Sequence, residues 1–251
     1  MIAPMRTVYR EHLDAFAHDL LVMCDSVRAI MDKASEALLR ASLEKAEEAL
    51  SIADPLEEIK VRCEERAVQL LALENPVASD LRQVVSSIYI VEDFDRMAAL
   101  AMHIANTARR RHPEHAIPEE IRGYIEEMVR LVEDMGEKTH DLLVAPDADV
   151  ALILNQDDDA VDDLNYFLLN MLTEREWKHS TKEAVDLTLV SRYYERYADH
   201  CVNVSARIVY LTTGLMPEEY IQKQETDRAD AEMKQRFADL ERQFTRGRKS
   251  D

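Results

Sequence analysis

Ten consecutive residues, Tyr194-Glu195-Arg196-Tyr197-Ala198-Asp199-His200-Cys201-Val202-Asn203, carry the densest chemistry in the sequence. They set two carboxylates and an amide at four-residue spacing on a segment that otherwise reads as core helix. Helical neighbours lie three and four residues apart, so Glu195, Asp199 and Asn203 share a stripe. Two like charges at that spacing cost about 0.2–0.5 kcal/mol on an isolated helix. A cation or a basic partner would offset that cost. Further acids stand at Asp157, Asp158, Asp159, Asp162 and Asp163. Asp158 and Asp162 repeat the spacing and are expected to face Glu195 and Asp199. Hard oxygen donors from facing helices suit Fe, Mn, Mg or Zn better than soft metals. The row beside Glu195 is small (Ala184, Thr188, Ser191, Ala198, Val202, Ser205), which leaves room for an ion, water or a closely packed helix. The plainer reading is weak surface pairing of these acids with Arg192, Arg196 and His200.

The elements that hold these residues must be long helices. The 251 residues are 47% hydrophobic with 6% aromatics, and only 4 Gly and 7 Pro interrupt them. That is an all-α composition. The first expected helix runs from Arg6 to Leu39, with Tyr9, Leu13, Phe16, Leu20, Met23, Val27, Ile30, Ala34 and Ala37 alternating at four and three. The second runs from Ser42 to Leu73 with a break near Asp54, forced by Pro55. Asn75-Pro76 turns the chain. The third, Ser79 to Arg111, has a seam of Leu81, Val84, Ile88, Val91, Asp95, Ala98, Met102 and Ala105, one acid among apolar residues. The fourth starts at Pro118 and the fifth spans Asp147 to Trp177. Ser180-Thr181-Lys182-Glu183 predicts a capping box for the sixth, which ends at Gly214.

A shift of 100 residues overlays the third helix on the sixth. Asp95 meets Glu195, Arg96 meets Arg196 and Ala98 meets Ala198. Two similar three-helix bundles follow, residues 1–112 and 118–216. Residues 217–251 form a charged, partly helical tail with sparse apolar residues, among them Met233, Phe237, Leu240 and Phe244. The second acid is not repeated, because Asp199 falls on Ala99.

Fifty acids against 31 bases give a net charge of −19. That excludes general nucleic-acid binding. The basic runs Arg109-Arg110-Arg111 and Arg246-Gly247-Arg248-Lys249 read as favourable helix ends. Three scattered cysteines, Cys24, Cys63 and Cys201, read as buried thiols in a reducing cytoplasm. No apolar run of about 18 residues marks a membrane span.

The Glu195–Asn203 stretch resembles the signature of the PhoU family, which carries two E-x-x-x-D motifs. Asn75-Pro76-Val77-Ala78-Ser79-Asp80-Leu81-Arg82 is similar to that family's stretch before the third helix, and Asp93-Phe94-Asp95-Arg96-Met97 to its first motif. The resemblance implies two three-helix bundles and, in some members, iron or zinc clusters at the motifs. Asp95 and Ala99 depart from the first motif, so a metal is expected on the second bundle. The metal candidates are Glu195, Asp199, Asp158, Asp162 and Asp95. Asp93, Arg96, Arg196 and Asn203 are candidates for partner binding. The resemblance further implies a non-enzymatic negative regulator of phosphate-starvation signalling and uptake. Such a protein links the ATPase of a phosphate ABC transporter to a sensor histidine kinase. A homodimer in the cytoplasm, reaching the membrane only through partners, completes the expectation.

The competing enzyme is a carboxylate-bridged di-metal oxidase of ferritin-like type. It would use the Glu-x-x-His pairs Glu137/His140 and Glu176/His179, facing inward at mid-helix. Both pairs are expected at helix ends, which is the wrong place. A metal-free helical scaffold is the third reading.

Overall fold

The computed structural model describes residues 3–73 and 78–247. The turn expected at Asn75-Pro76 and the basic residues Arg248 and Lys249 lie outside them. The helices are α1 (Ala3–Arg40), α2 (Leu43–Ala53), α3 (Leu56–Leu73) and α4 (Ala78–Arg111). A single 3-10 turn (Glu119–Ile121) then leads into α5 (Arg122–Val144), α6 (Ala148–Glu174), α7 (Thr181–Thr213) and α8 (Pro217–Gly247). No strand forms among the described residues.

Local chemistry sets the boundaries. Ser42 caps α2 by accepting from the Lys45 amide, and Pro55 separates α2 from α3. Asp147 accepts from the amides of Asp149 and Val150 at the start of α6. Ser180 and Glu183 form the expected reciprocal capping box at α7. Together they satisfy amides that have no partner inside the helix. Gly214 ends α7 at φ 76°, a left-handed conformation that glycine adopts without steric cost.

In the first half, α1 packs against α2, α3 and α4; in the second, α5 and α6 pack against α7. The halves join where α1 meets α5 and α4 meets α7. One continuous core runs through both, including Phe16, Met23, Ile30, Phe94, Met97, Ile125, Tyr194 and Tyr197. Each such large side chain contributes about 1.5–3 kcal/mol on burial. Buried polar links cross the core: Tyr194 and Ser35 share a hydroxyl hydrogen bond of 3.0 Å, and Arg111 clasps Asp186 between α4 and α7.

The α1 seam is buried as its spacing predicts, with Leu13 only partly covered. The α4 seam differs. Leu81 and Ile88 are exposed, while Ile90, Phe94, Met97, Ala101 and Ile104 are buried. The reason is that α4 touches α1, α2, α3 and α7, so it buries a face wider than one heptad stripe. The tail is a continuous helix: α8 is exposed along most of its length and meets α6 through Tyr220 and Gln224, which both donate to Asp149.

Candidate functional site

The facing faces of α6 and α7 bring acids together. Glu195 is 7% exposed, and Arg192, one turn earlier on α7, donates to its Oε1. Its second oxygen, Oε2, is buried without a hydrogen-bond partner. Asp158 of α6 is half-buried, and its Oδ1 is likewise buried and unpartnered. Burial, followed by the charges of Asp162, Asp199 and Glu195, pushes the Asp158 carboxyl up to about 7. Burial and Asp199 raise Asp162 as well. Glu195 is raised by burial and Asp199, against the opposing pull of Arg192. Desolvation penalises the ionised form, and each neighbouring carboxylate adds repulsion. Four acids therefore act on one another across the α6–α7 seam, with Arg192 the base in direct contact.

The corresponding place in the first half is built differently. There α3 faces α4, and Lys60 of α3 lies 2.9 Å from Asp95 and 3.3 Å from Glu92. The Asp95 hydrogen bond raises Lys60 and holds it charged. A fixed ammonium thus supplies a countercharge from the facing helix, whereas at the α6–α7 seam the base in contact, Arg192, comes from α7 itself. Asp95, read from the sequence as a candidate metal ligand, stands in this ion pair, apart from the other four acids. Arg82, one of its nearest arginines in sequence, lies under Gly214 instead. Lys60 was absent from the sequence reading. Its signal was a single base beside the seam residue Ile59 in an acidic stretch.

Asp93 sits between the halves. Its Oδ1 is 2.8 Å from His200 Nδ1, and Asn203 Nδ2 is 3.5 Å away. Asn203 therefore turns toward α4, while Glu195 turns toward α6. Four-residue steps drift about 40° each around a helix, so the expected common stripe splits over two turns. His200 pairs with Asp93 and not with the Glu195 acids. Arg96 and Arg196 are exposed. The small residues Ser191, Ala198 and Ser205 are buried, so that row serves close helix packing, with α4 and α6 both drawn tightly against α7.

The Glu-x-x-His pairs do not face the bundle interior together. His140 lies near Asp25 and Asp141, and His179 lies in the α6–α7 connection against Trp177. Among the described residues, no three His, Cys, Asp or Glu side chains are already drawn into metal-binding positions. Cys24, Cys63 and Cys201 are buried free thiols, pushed up by burial. No described helix is long and apolar enough to cross a membrane.

The PhoU domain pattern matches this chain twice, over residues 20–108 and 125–208. The phosphate-specific transport system accessory protein PhoU homolog 2 of Mycobacterium tuberculosis is 46% identical over 213 residues, 85% of this chain and 100% of that protein. The PhoU homolog of Aquifex aeolicus is 30% identical over 81% of this chain and 92% of its own. Among solved structures, the phosphate transport system regulatory protein PhoU from Streptococcus pneumoniae superposes with a TM-score of 0.71 at 26% identity, covering 83% of this chain and 98% of that one. PhoU from Pseudomonas aeruginosa shares the fold with a TM-score of 0.74 at 24% identity. Helix α8 lies beyond the matched repeats. With the domain matched twice, relatives 30–46% identical over most of the chain and a common fold, the chain belongs to the PhoU family.

Proposed function

We propose that this chain is an accessory regulator of a phosphate-specific transport system that works by binding and not by catalysis. In this reading it connects the ATPase of a phosphate ABC transporter to a sensor histidine kinase. It restrains starvation signalling and uptake when phosphate is plentiful. The names of its relatives support the transport role. The observation that carries the site is the α6–α7 seam, where Glu195 Oε2 and Asp158 Oδ1 are buried without partners. A buried carboxylate oxygen left unpaired is costly, so this face gains by meeting a positive charge.

The donor chemistry, four carboxylates of which two hold orphaned oxygens, suits a hard divalent cation that would have to draw the acids closer than they stand. Glu195, Asp199, Asp158 and Asp162 would hold it. Fe, Zn, Mn or Mg bound there would supply positive charge and bridge the two helices. The chain's own residues do the rest. Arg192 orients Glu195 by gripping one oxygen and leaves the other toward α6. The Asp93–His200 contact ties α4 of the first repeat to α7 of the second. Regulation requires different affinity for two states of the transporter or kinase. A homodimer would enlarge that surface, and the exposed apolar residues Val68 and Leu71 on α3 offer a contact for it.

The test is recovery of partners from detergent-solubilised membranes at high and low phosphate, with elemental analysis of the bait. The wild-type chain is expected to retain the transporter ATPase or the kinase in a phosphate-dependent manner. Glu195→Ala with Asp199→Ala is expected to lose both that recovery and any bound metal. Unchanged recovery in the double variant removes this seam from the mechanism.

A further inference from the structure

A second site lies on the opposite side of α7, between α1 and α5. It is a cleft of about 560 Å³, a volume suited to a small organic ligand. One wall comes from the first repeat and the other from the second. Its charged lining is five carboxylates against two guanidiniums. Both guanidiniums have acids of their own: Arg28 is 3.5 Å from Asp25 and Arg130 is 2.6 Å from Glu127. Asp134 is held by Lys138 at 2.7 Å, and Asp32 by Lys33 at 2.9 Å. Among the described residues Glu133 has no basic partner. Its side chain is exposed, yet partial desolvation and the neighbouring charge of Asp32 both work against its ionisation.

The floor of the cleft is Tyr197, which is 1% exposed. No hydrogen bond satisfies its hydroxyl among the described residues, and burial raises its pKa well above the usual value. A buried hydroxyl of this kind ordinarily finds a partner. Gly136 explains how it stays uncovered. A Cβ there would sit 3.7 Å from the Tyr197 hydroxyl and 3.5 Å from Arg28 Cγ, both ordinary contacts. Alanine would fit and would favour the helix, so packing does not demand glycine at this position. Its absent side chain instead leaves the hydroxyl open to the cleft.

We propose that the α1–α5 cleft binds an alkylammonium group, with its charge held by Glu133 and one N–H donated to the Tyr197 hydroxyl oxygen. This site is separate from the α6–α7 acids and does not rest on the transport reading. A free aliphatic amine and the lysine side chain of a docked protein carry the same ammonium chemistry, and two probes separate them. The experiment is an amide NMR titration of the full ¹⁵N-labelled chain with 1,4-diaminobutane and with Nα-acetyl-lysine amide, each against sodium chloride at matched ionic strength. Saturable shifts are expected at the amides of Ala29, Glu133 and Gly136. Preference for the diamine assigns a free ligand, and preference for the lysine amide assigns a partner side chain.

Glu133→Gln is expected to weaken binding about tenfold or more, the loss of one charge-assisted contact. Tyr197→Phe is expected to weaken it severalfold while leaving thermal stability unchanged or raised, because the hydroxyl has no partner in the fold. Gly136→Ala, whose methyl would sit 3.7 Å from the Tyr197 hydroxyl, is expected to cover that hydroxyl and weaken binding with its helix intact. Shifts spread over the acidic surface, or reproduced by sodium chloride, overturn the proposal. Binding that survives both Glu133→Gln and Gly136→Ala overturns it equally.

Discussion

Asp158 offers the sharpest measure of strain at the α6–α7 seam, through the substitution Asp158→Asn. Its carboxyl is displaced from an ordinary 3.8 to about 7 by burial and by Asp162, Asp199, Glu195 and Asp159, with Arg192 on Glu195 as the nearby base. Below pH 3.8 the group is protonated in both the folded and the unfolded chain and costs nothing. Between pH 3.8 and about 7 the unfolded chain releases the proton while the folded chain retains it, so stability falls as pH rises. Above pH 7 the cost is complete. At about 1.4 kcal/mol per pH unit that displacement amounts to about 4 kcal/mol. Asp158 is only half-buried, so solvent screening reduces this to about 2 kcal/mol. The asparagine variant, which cannot ionise, should gain about that much at pH 8 in chelator-treated protein. That corresponds to a rise of roughly 4–8 °C in melting temperature for a chain of this size. At pH 4.5 the gain should shrink below about 1 kcal/mol. Urea denaturation of both proteins at the two pH values measures it. An equal gain at both, or a loss at pH 8, would refute the claim that charge crowding strains this seam. Added Mn²⁺ should stabilise the parent more than the variant if Asp158 is a ligand.

Two further outcomes follow from contacts elsewhere in the fold. Asp186→Ala leaves Arg111, whose side chain is 5% exposed, as an unpaired buried charge and should cost about 3–5 kcal/mol in urea denaturation. Replacing both members of the pair with leucine and methionine should recover most of that loss. Deleting residues 217–251 removes α8, which meets α6 through Tyr220 and Gln224 on Asp149. The melting temperature should change by less than about 3 °C, since few apolar contacts are lost. A larger drop would show that α8 stabilises the bundle.

The caps and periods were legible because they are local. Ser180 and Glu183 lie three residues apart, Gly214 acts through its own φ, and the α1 seam repeats with every turn. The partners of the acids were less legible because they come from distant parts of the chain. Asp95 meets Lys60, 35 residues away, and Asp93 meets His200, 107 residues away. Asp158 and Asp162 were expected to face Glu195 and Asp199, and the charges of these acids act on one another between α6 and α7. Asp95 was a metal candidate of the first repeat as the counterpart of Glu195, and a lysine on the opposing helix gives it a different environment.

The sequence by itself determined an all-helical chain with two repeats and the helix ends. Each of those depends on propensity, capping or period over a few turns. Tertiary structure decided which carboxylates are neutralised and which are left buried without a partner. It also decided that α1 and α5, far apart in the chain, leave a cleft over Tyr197. Charge, burial and open space depend on distance in three dimensions, and helical period fixes a residue's angle on its helix without naming the helix it will face.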